Sequence, residues 1–433
     1  MRGYVLGGGF TGLAAGLASG YEVLEAEPTP GGICCSYYMQ PGGRERLPRR
    51  PAGGCYRFEL GGGHWIFGGD PAVLALLASL APMRQYVRAS SVYFPGPRRY
   101  VPYPLQNNLR ALDGEIAVRA LVEMAQPARP ARTLRDWLLE SFGPTLCELF
   151  FFPFHELYTS ALYSEIAPQD AYKSPNSYAG VVQGSVATVA AAGYNTTYSY
   201  PVDGLDALAR AMAARGRVRF GARVASIDLD ARRLVLADGS SLTYDRLIST
   251  LPLNQSLALA GLATAGANDP YTSVLVLNVG ATRGPSCPGD HWIYVPESAA
   301  GFHRVVFYGN VEPSFVPDAD RVGLYVERSF RAGEKPAAAA IEAYAQQAVA
   351  ELAEWGFIGR PEVVDPTWIE VAYTWSWPGS TWRQQALRLL QERGVASVGR
   401  YGRWSFQGIA DSVRDGLLVG AAARLAPDAD GSA

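Results

Sequence analysis

At 433 residues the chain exceeds the size at which a single core stops growing, so two or three structural units are expected. Apolar residues make up 48% and charged residues 18%, a balance that excludes a disordered chain. A net charge of −2 gives no general pull toward nucleic acid or an anionic membrane surface. Lys173 and Lys335 are the only lysines, so an anion site has to draw on arginine. Five cysteines, an odd number with no CxxC spacing, argue against a disulfide framework or a metal site and for reduced thiols. No stretch approaches the ~20 apolar residues of a membrane span. The chain opens in a strand-like run without a basic-then-apolar leader, so a soluble, cytoplasmic protein is expected.

The first elements are a strand, a glycine turn, a short helix over residues 12–20 and a second strand. The turn is Gly7-x-Gly9-x-x-Gly12, and Glu25 closes the second strand. Gly7 permits a tight turn, Gly9 lets a pyrophosphate reach the backbone, and Gly12 lets helix and strand pack closely. The phosphates then rest on the helix N-terminus. Glu25 is placed to accept hydrogen bonds from an adenosine ribose. This βαβ context predicts dinucleotide binding.

Farther along, residues 217–227 and 234–236 read as strands with an Asp238-Gly239 hairpin turn. Residues 134–138 and 146–150 carry helix-spaced apolar positions, with a break at Pro153. Runs at 273–279, 292–295, 304–308, 323–327 and 367–373 look like an antiparallel sheet. Between Tyr100 and Leu109 stands YVPYPLQNNL, whose prolines stiffen the backbone and whose three amides offer uncharged hydrogen bonds.

The segment after Glu25, with Gly31-Gly32 and Ser36, resembles the signature of flavoproteins related to amine oxidases and protoporphyrinogen oxidase. That resemblance implies FAD rather than NAD. It places Val224 beside the adenine, and Gly399, Arg400, Asp411 and Ser412 in the last strand and helix near the flavin ring. The implied fold is α/β, with a Rossmann-like FAD-binding domain split in sequence (1–75, 202–255 and 390–425). An antiparallel sheet domain for substrate (76–109 and 256–389), a helical insertion (110–201) and a tail (426–433) complete it.

A narrower likeness rests on Gly61-Gly62-Gly63-His64-Trp65-Ile66-Phe67, on Pro102-Tyr103-Pro104-Leu105-Gln106-Asn107-Asn108, and on the runs at 290–297, 303–310 and 399–404. These resemble the UDP-galactopyranose mutases, in particular the eukaryotic-type branch. The resemblance puts Gly62, Gly63 and His64 against the flavin and stacks Phe67 and Tyr103 on uracil. It assigns Gln106 and Asn195 to the nucleotide, and Tyr294 and Arg304 to the diphosphate. His64 and Arg304 become the catalytic residues. The implied reaction interconverts pyranose and furanose forms of a UDP-galactose-like sugar through a covalent adduct at N5 of reduced FAD, with an external reductant such as NAD(P)H.

The sequence departs from that pattern in places. The second diphosphate arginine has no clear match, and Lys173 stands nearest. Phe406 replaces a tyrosine, Trp377 stands for a sugar-side tyrosine, and Gly408-Ile-Ala-Asp411 replaces an expected asparagine. Two other readings use the same fold: an FAD-dependent oxidoreductase of amine oxidase or desaturase type, and a binding protein of the GDP-dissociation-inhibitor kind. Amine oxidases commonly carry a lysine near the flavin, a role for which two lysines leave few choices.

Overall fold

The computed structural model describes residues 2–127, 129–169 and 177–425. Lys173 and the tail 426–433 lie outside them. A five-stranded, all-parallel sheet runs in the order Arg217–Arg219, Glu22–Leu24, Gly3–Leu6, Arg246–Ser249, Val395–Ser397. Its strands come from three distant stretches of chain, and parallel pairing of this kind needs crossovers to cover both faces. The first crossover helix is Phe10–Ser19, two residues earlier than the glycine spacing predicts. Gly9 is its extended N-cap and Gly20 ends it in the left-handed region. Residues 217–227 form two strands rather than one arm of a hairpin. Arg217–Arg219 joins the parallel sheet, while Val224–Asp228 pairs with Arg233–Leu236 in a separate three-stranded sheet.

The large sheet has seven strands, ordered Ile358–Thr374, Tyr271–Arg283, Arg321–Arg331, Arg304–Phe307, Trp292–Tyr294, Ser90–Phe94, Arg99–Pro102. Tyr271–Arg283 is buried along almost its whole length, as an interior strand covered on both faces must be. Ile358–Thr374 contains Pro361 and Pro366, which cannot donate to a ladder and confine it to the edge. The sheet is antiparallel except for one pairing: Trp292–Tyr294 runs parallel to residues 90–92. Helix Ala338–Glu354 packs Tyr344, Ala348 and Leu352 on one face. The other face turns toward the parallel sheet, and the space between them is the site.

The helical segments over 114–186 form a third cluster around Leu138, Phe142 and Phe150. The break is not at Pro153. Helix Leu134–Leu146 kinks at Gly143, whose φ is +75°, followed by Pro144. A wide i→i+5 turn, Cys147–Phe151, then leads into Phe152–Tyr158. Pro153 sits in the first turn of that last helix, where its missing N–H costs nothing. Strand Thr197–Pro201 pairs with Ile66–Phe67 and Met83–Val87, tying the end of the insertion to the glycine-rich loop. Among the described residues no helix is long and apolar enough to cross a membrane.

Candidate functional site

One cavity of about 660 Å³ runs from the glycine turn at Gly7 and Gly9, past His64 and Arg400, to Tyr103 and Gln106. The turn is built as its chemistry requires. A Cβ on Gly12 would lie 1.8 Å from the Gly7 carbonyl oxygen, so only glycine fits, whereas a Cβ on Gly9 would meet nothing within 4 Å. Gly9 thus leaves open room beside the helix N-terminus. Glu25 is buried, its carboxylate accepting from the N–H groups of Gly8 at 2.5 Å and Glu27 at 2.8 Å. Gly31 and Gly32 both have positive φ, and Gly31 N–H donates to Gly8 O. At the far side, Ser412 in the first turn of helix Ile409–Leu425 also lines the space. These groups fit a dinucleotide: an open backbone cradle at Gly9, a carboxylate beyond it and a helix N-terminus on each side.

His64 ends a loop latched from behind. Its backbone N–H donates to the buried Glu59 carboxylate at 2.7 Å, and Glu59 also accepts from the Tyr200 hydroxyl. The His64 ring Nδ1 lies 2.7 Å from Gly62 O, so Nδ1 carries the proton. Burial lowers the imidazole to about 4, and it is neutral at pH 7. Burial likewise pushes the Glu59 carboxyl up to about 8, against its hydrogen bonds from Tyr200 and His64.

Tyr294 and Arg304 are direct cross-strand partners, and both line the cavity. The Tyr294 ring packs on Tyr103 with centroids 4.6 Å apart. Arg304 Nη2 donates to Glu327 Oε1 at 2.5 Å, while its Nε is buried with no protein partner among the described residues. Glu327 is 3% exposed, accepts from the Tyr373 hydroxyl at 3.1 Å and lies 3.2 Å from His303 Nε2. Burial alone would raise this carboxyl, but the Arg304 charge and His303 hold it well below the carboxylate range. Arg400 lines the same cavity with its guanidinium carbon 4.6 Å from the Phe406 ring centre. The cavity therefore carries a second arginine, on the side that the sequence assigns to the cofactor.

The other expected residues divide. Phe67, Asn195, Phe406 and Gly63 line the cavity, and Gln106 is 1% exposed in the turn after the cis Tyr103–Pro104 peptide. Asn108 only caps that turn, donating to Pro104 O at 2.9 Å. Gly12, Ser36, Gly62, Gly399 and Asp411 stand behind the wall. Gly399 is required for packing, since its Cβ would meet Thr11 Oγ1 at 2.5 Å, and Asp411 pairs with Arg414 at 3.7 Å. Val224 belongs to the separate three-stranded sheet, packed beside Leu236 and Leu253, and does not line the cavity. Trp377 is also outside: its indole N–H donates to Asn268 O beyond the end of the edge strand. Tyr373, at the end of that strand, and Trp375, just beyond it, stand on the wall instead.

Sequence reading missed Glu327, Tyr373 and His303. A signal for Glu327 exists, since one acid within the apolar run of Arg321–Arg331 implies a buried, paired charge. It also missed an aromatic lobe of the cavity, formed by Trp137, Phe150, Phe154 and Tyr158 around the kinked helices.

Residues 13–422 match the family described as flavin containing amine oxidoreductase. The chain belongs to this family. It is a flavin enzyme by that membership, and the cradle at Gly7, Gly9 and Gly32 suits the cofactor. Among solved structures, a reduced UDP-galactopyranose mutase superposes with a TM-score of 0.84 at 22% identity, covering 97% of this chain and 94% of that one. Cyclohexylamine oxidase from Brevibacterium oxydans IH-35A gives 0.62 at 16% identity, with 98% of each chain covered. A fatty acid isomerase from P. acnes that produces CLA gives 0.60 at 13% identity, covering 96% and 97%. At such identities the likeness is one of fold, and chemistry has to be argued from the site.

Proposed function

We propose that this flavin amine oxidoreductase family member is an FAD-dependent isomerase of nucleotide sugars, acting in the manner of a UDP-galactopyranose mutase. The observation that carries the reading is the convergence of Tyr103, Tyr294 and Arg304 on one wall of the flavin cavity. Tyr103 and Tyr294 offer ring faces to a base, and Arg304 offers a fixed guanidinium to a diphosphate. Among the described residues no lysine lines the cavity; Lys335 is exposed and outside the lining.

Gly7, Gly9, Glu25, Gly31, Gly32, His64, Arg400 and Ser412 would hold the FAD. When reduced by an external donor such as NAD(P)H, it would supply a nucleophile for the anomeric carbon. Arg304 takes up charge on the leaving diphosphate, and Glu327 fixes the direction of the guanidinium. His64, neutral and tied to Gly62, presents no competing cation. The aromatic walls exclude water that would hydrolyse the activated sugar.

A second reading, an amine oxidase-type enzyme, is favoured by the aromatic lobe at Trp137, Phe150 and Phe154, which suits an apolar substrate. One experiment separates them. The purified flavoprotein, reduced with dithionite, is given UDP-galactofuranose, and the pyranose is followed by chromatography; the oxidised enzyme is given amines, and hydrogen peroxide is measured. Conversion only in the reduced state supports the isomerase. Peroxide without conversion replaces it with the oxidase.

A further inference from the structure

Arg88, between strands Met83–Val87 and Ser90–Phe94, is 6% exposed and does not itself line the cavity. A buried guanidinium has to find acceptors for its donors. Its Nη1 donates to Asn195 Oδ1, and its Nη2 donates to the carbonyls of Tyr103 at 3.1 Å and Ala192 at 3.0 Å. Its guanidinium carbon lies 5.1 Å from the Tyr103 ring centre, and its backbone N–H donates to Thr196 O. One side chain thus ties together the segments that present Tyr103 and Asn195.

Arginine has donors and no acceptor, so it can face only the oxygen of the Asn195 carboxamide. That fixes which way the amide points. Asn195 lines the cavity, and its Nδ2 is the side-chain polar atom left for a ligand. Nδ2 can only donate.

We propose that Arg88 is a positioning residue that presets Asn195 as a hydrogen-bond donor, so that the site takes a base presenting a keto oxygen there and disfavours one presenting an amino group. A 4-oxo pyrimidine is the matching class and a 4-amino pyrimidine the mismatched one. The inference rests on the nucleotide reading of the site.

Neutral nucleosides test it without repulsion of a diphosphate. Uridine is expected to bind the holoenzyme at least tenfold more tightly than cytidine, as measured by calorimetry. Asn195→Asp keeps one oxygen on Arg88 and turns an acceptor toward the ligand, so the preference should reverse. Arg88→Met releases the amide and should reduce the preference to within about threefold; Arg88→Lys, a point charge unable to span three acceptors, should fall between. An Asn195→Asp protein that still prefers uridine, or an Arg88→Met protein with undiminished preference, overturns the proposal. If the wild type binds neither nucleoside, the nucleotide reading fails instead. The amide orientation is then read directly in protein selectively labelled with ¹⁵N-asparagine. The side-chain NH₂ signal that disappears in Asn195→Asp should shift in Arg88→Met, and an unmoved signal overturns the role of Arg88.

Discussion

Arg304 and Glu327 stand directly opposite each other on paired antiparallel strands, with Nη2 2.5 Å from Oε1. Their separation in sequence hides a pairing that the strand register makes obligatory. The carboxylate sits deep, and the guanidinium reaches from it to the cavity. Removing Arg304 leaves a buried carboxylate uncompensated, which costs about 3–5 kcal/mol. Arg304→Ala should therefore lose both turnover and thermal stability. The double variant Arg304→Ala/Glu327→Gln should regain most of the stability and none of the activity. Equal melting temperatures for the single and double variants would show that the pair is not coupled.

Two glycines of one turn should fail in different ways. Gly12→Ala drives a methyl into the Gly7 carbonyl, so the protein should misfold or lose much of its stability. Gly9→Ala has an ordinary φ of −68° and an unobstructed Cβ, so the apoprotein should melt near the wild-type temperature. Its methyl would occupy the phosphate cradle, and flavin should be lost on gel filtration. Retention of a full flavin spectrum by Gly9→Ala would move the pyrophosphate elsewhere.

Stability should depend on pH through groups of opposite sign. His64 and His291 are lowered by burial from 6.5 to about 4. Between those values the unfolded chain binds protons that the folded chain refuses, so stability falls as pH drops from 6.5 toward 4. Glu59 is raised by burial from 4.5 to about 8. Its contribution is fully present below 4.5 and is lost as pH rises to 8. Glu59→Gln, whose amide the Tyr200 hydroxyl can accept, should flatten the melting temperature between pH 6.5 and 8. An unchanged slope in that window would assign it to other groups.

The aromatic wall should respond to ring loss rather than hydroxyl loss. Tyr103→Leu removes the ring packed at a tilt against Tyr294 and should weaken UDP binding about tenfold, the order expected for one aromatic contact. Tyr103→Phe should bind nearly as well as wild type. Titration of the holoenzyme with UDP checks both, and equal affinity for wild type and Tyr103→Leu would remove Tyr103 from the base site.

Sequence by itself determined the features whose physics is local. The glycine turn, the closing Glu25, the paired glycines at 31–32 and the loop ending in His64 are dictated by backbone conformation over a few residues. The runs later found in the large sheet were legible for the same reason, with bounds moved by the pairing. Tertiary structure decided whatever depends on register and on which distant segments meet. It set Arg304 against Glu327, turned Tyr373 rather than Trp377 to the wall, and brought the Arg400 guanidinium against the Phe406 ring. It also sent Val224 to a separate sheet. Through Arg88 it fixed which atom of Asn195 faces a ligand. A buried charge finds its partner only when strands are already aligned, so no window of sequence contains that information.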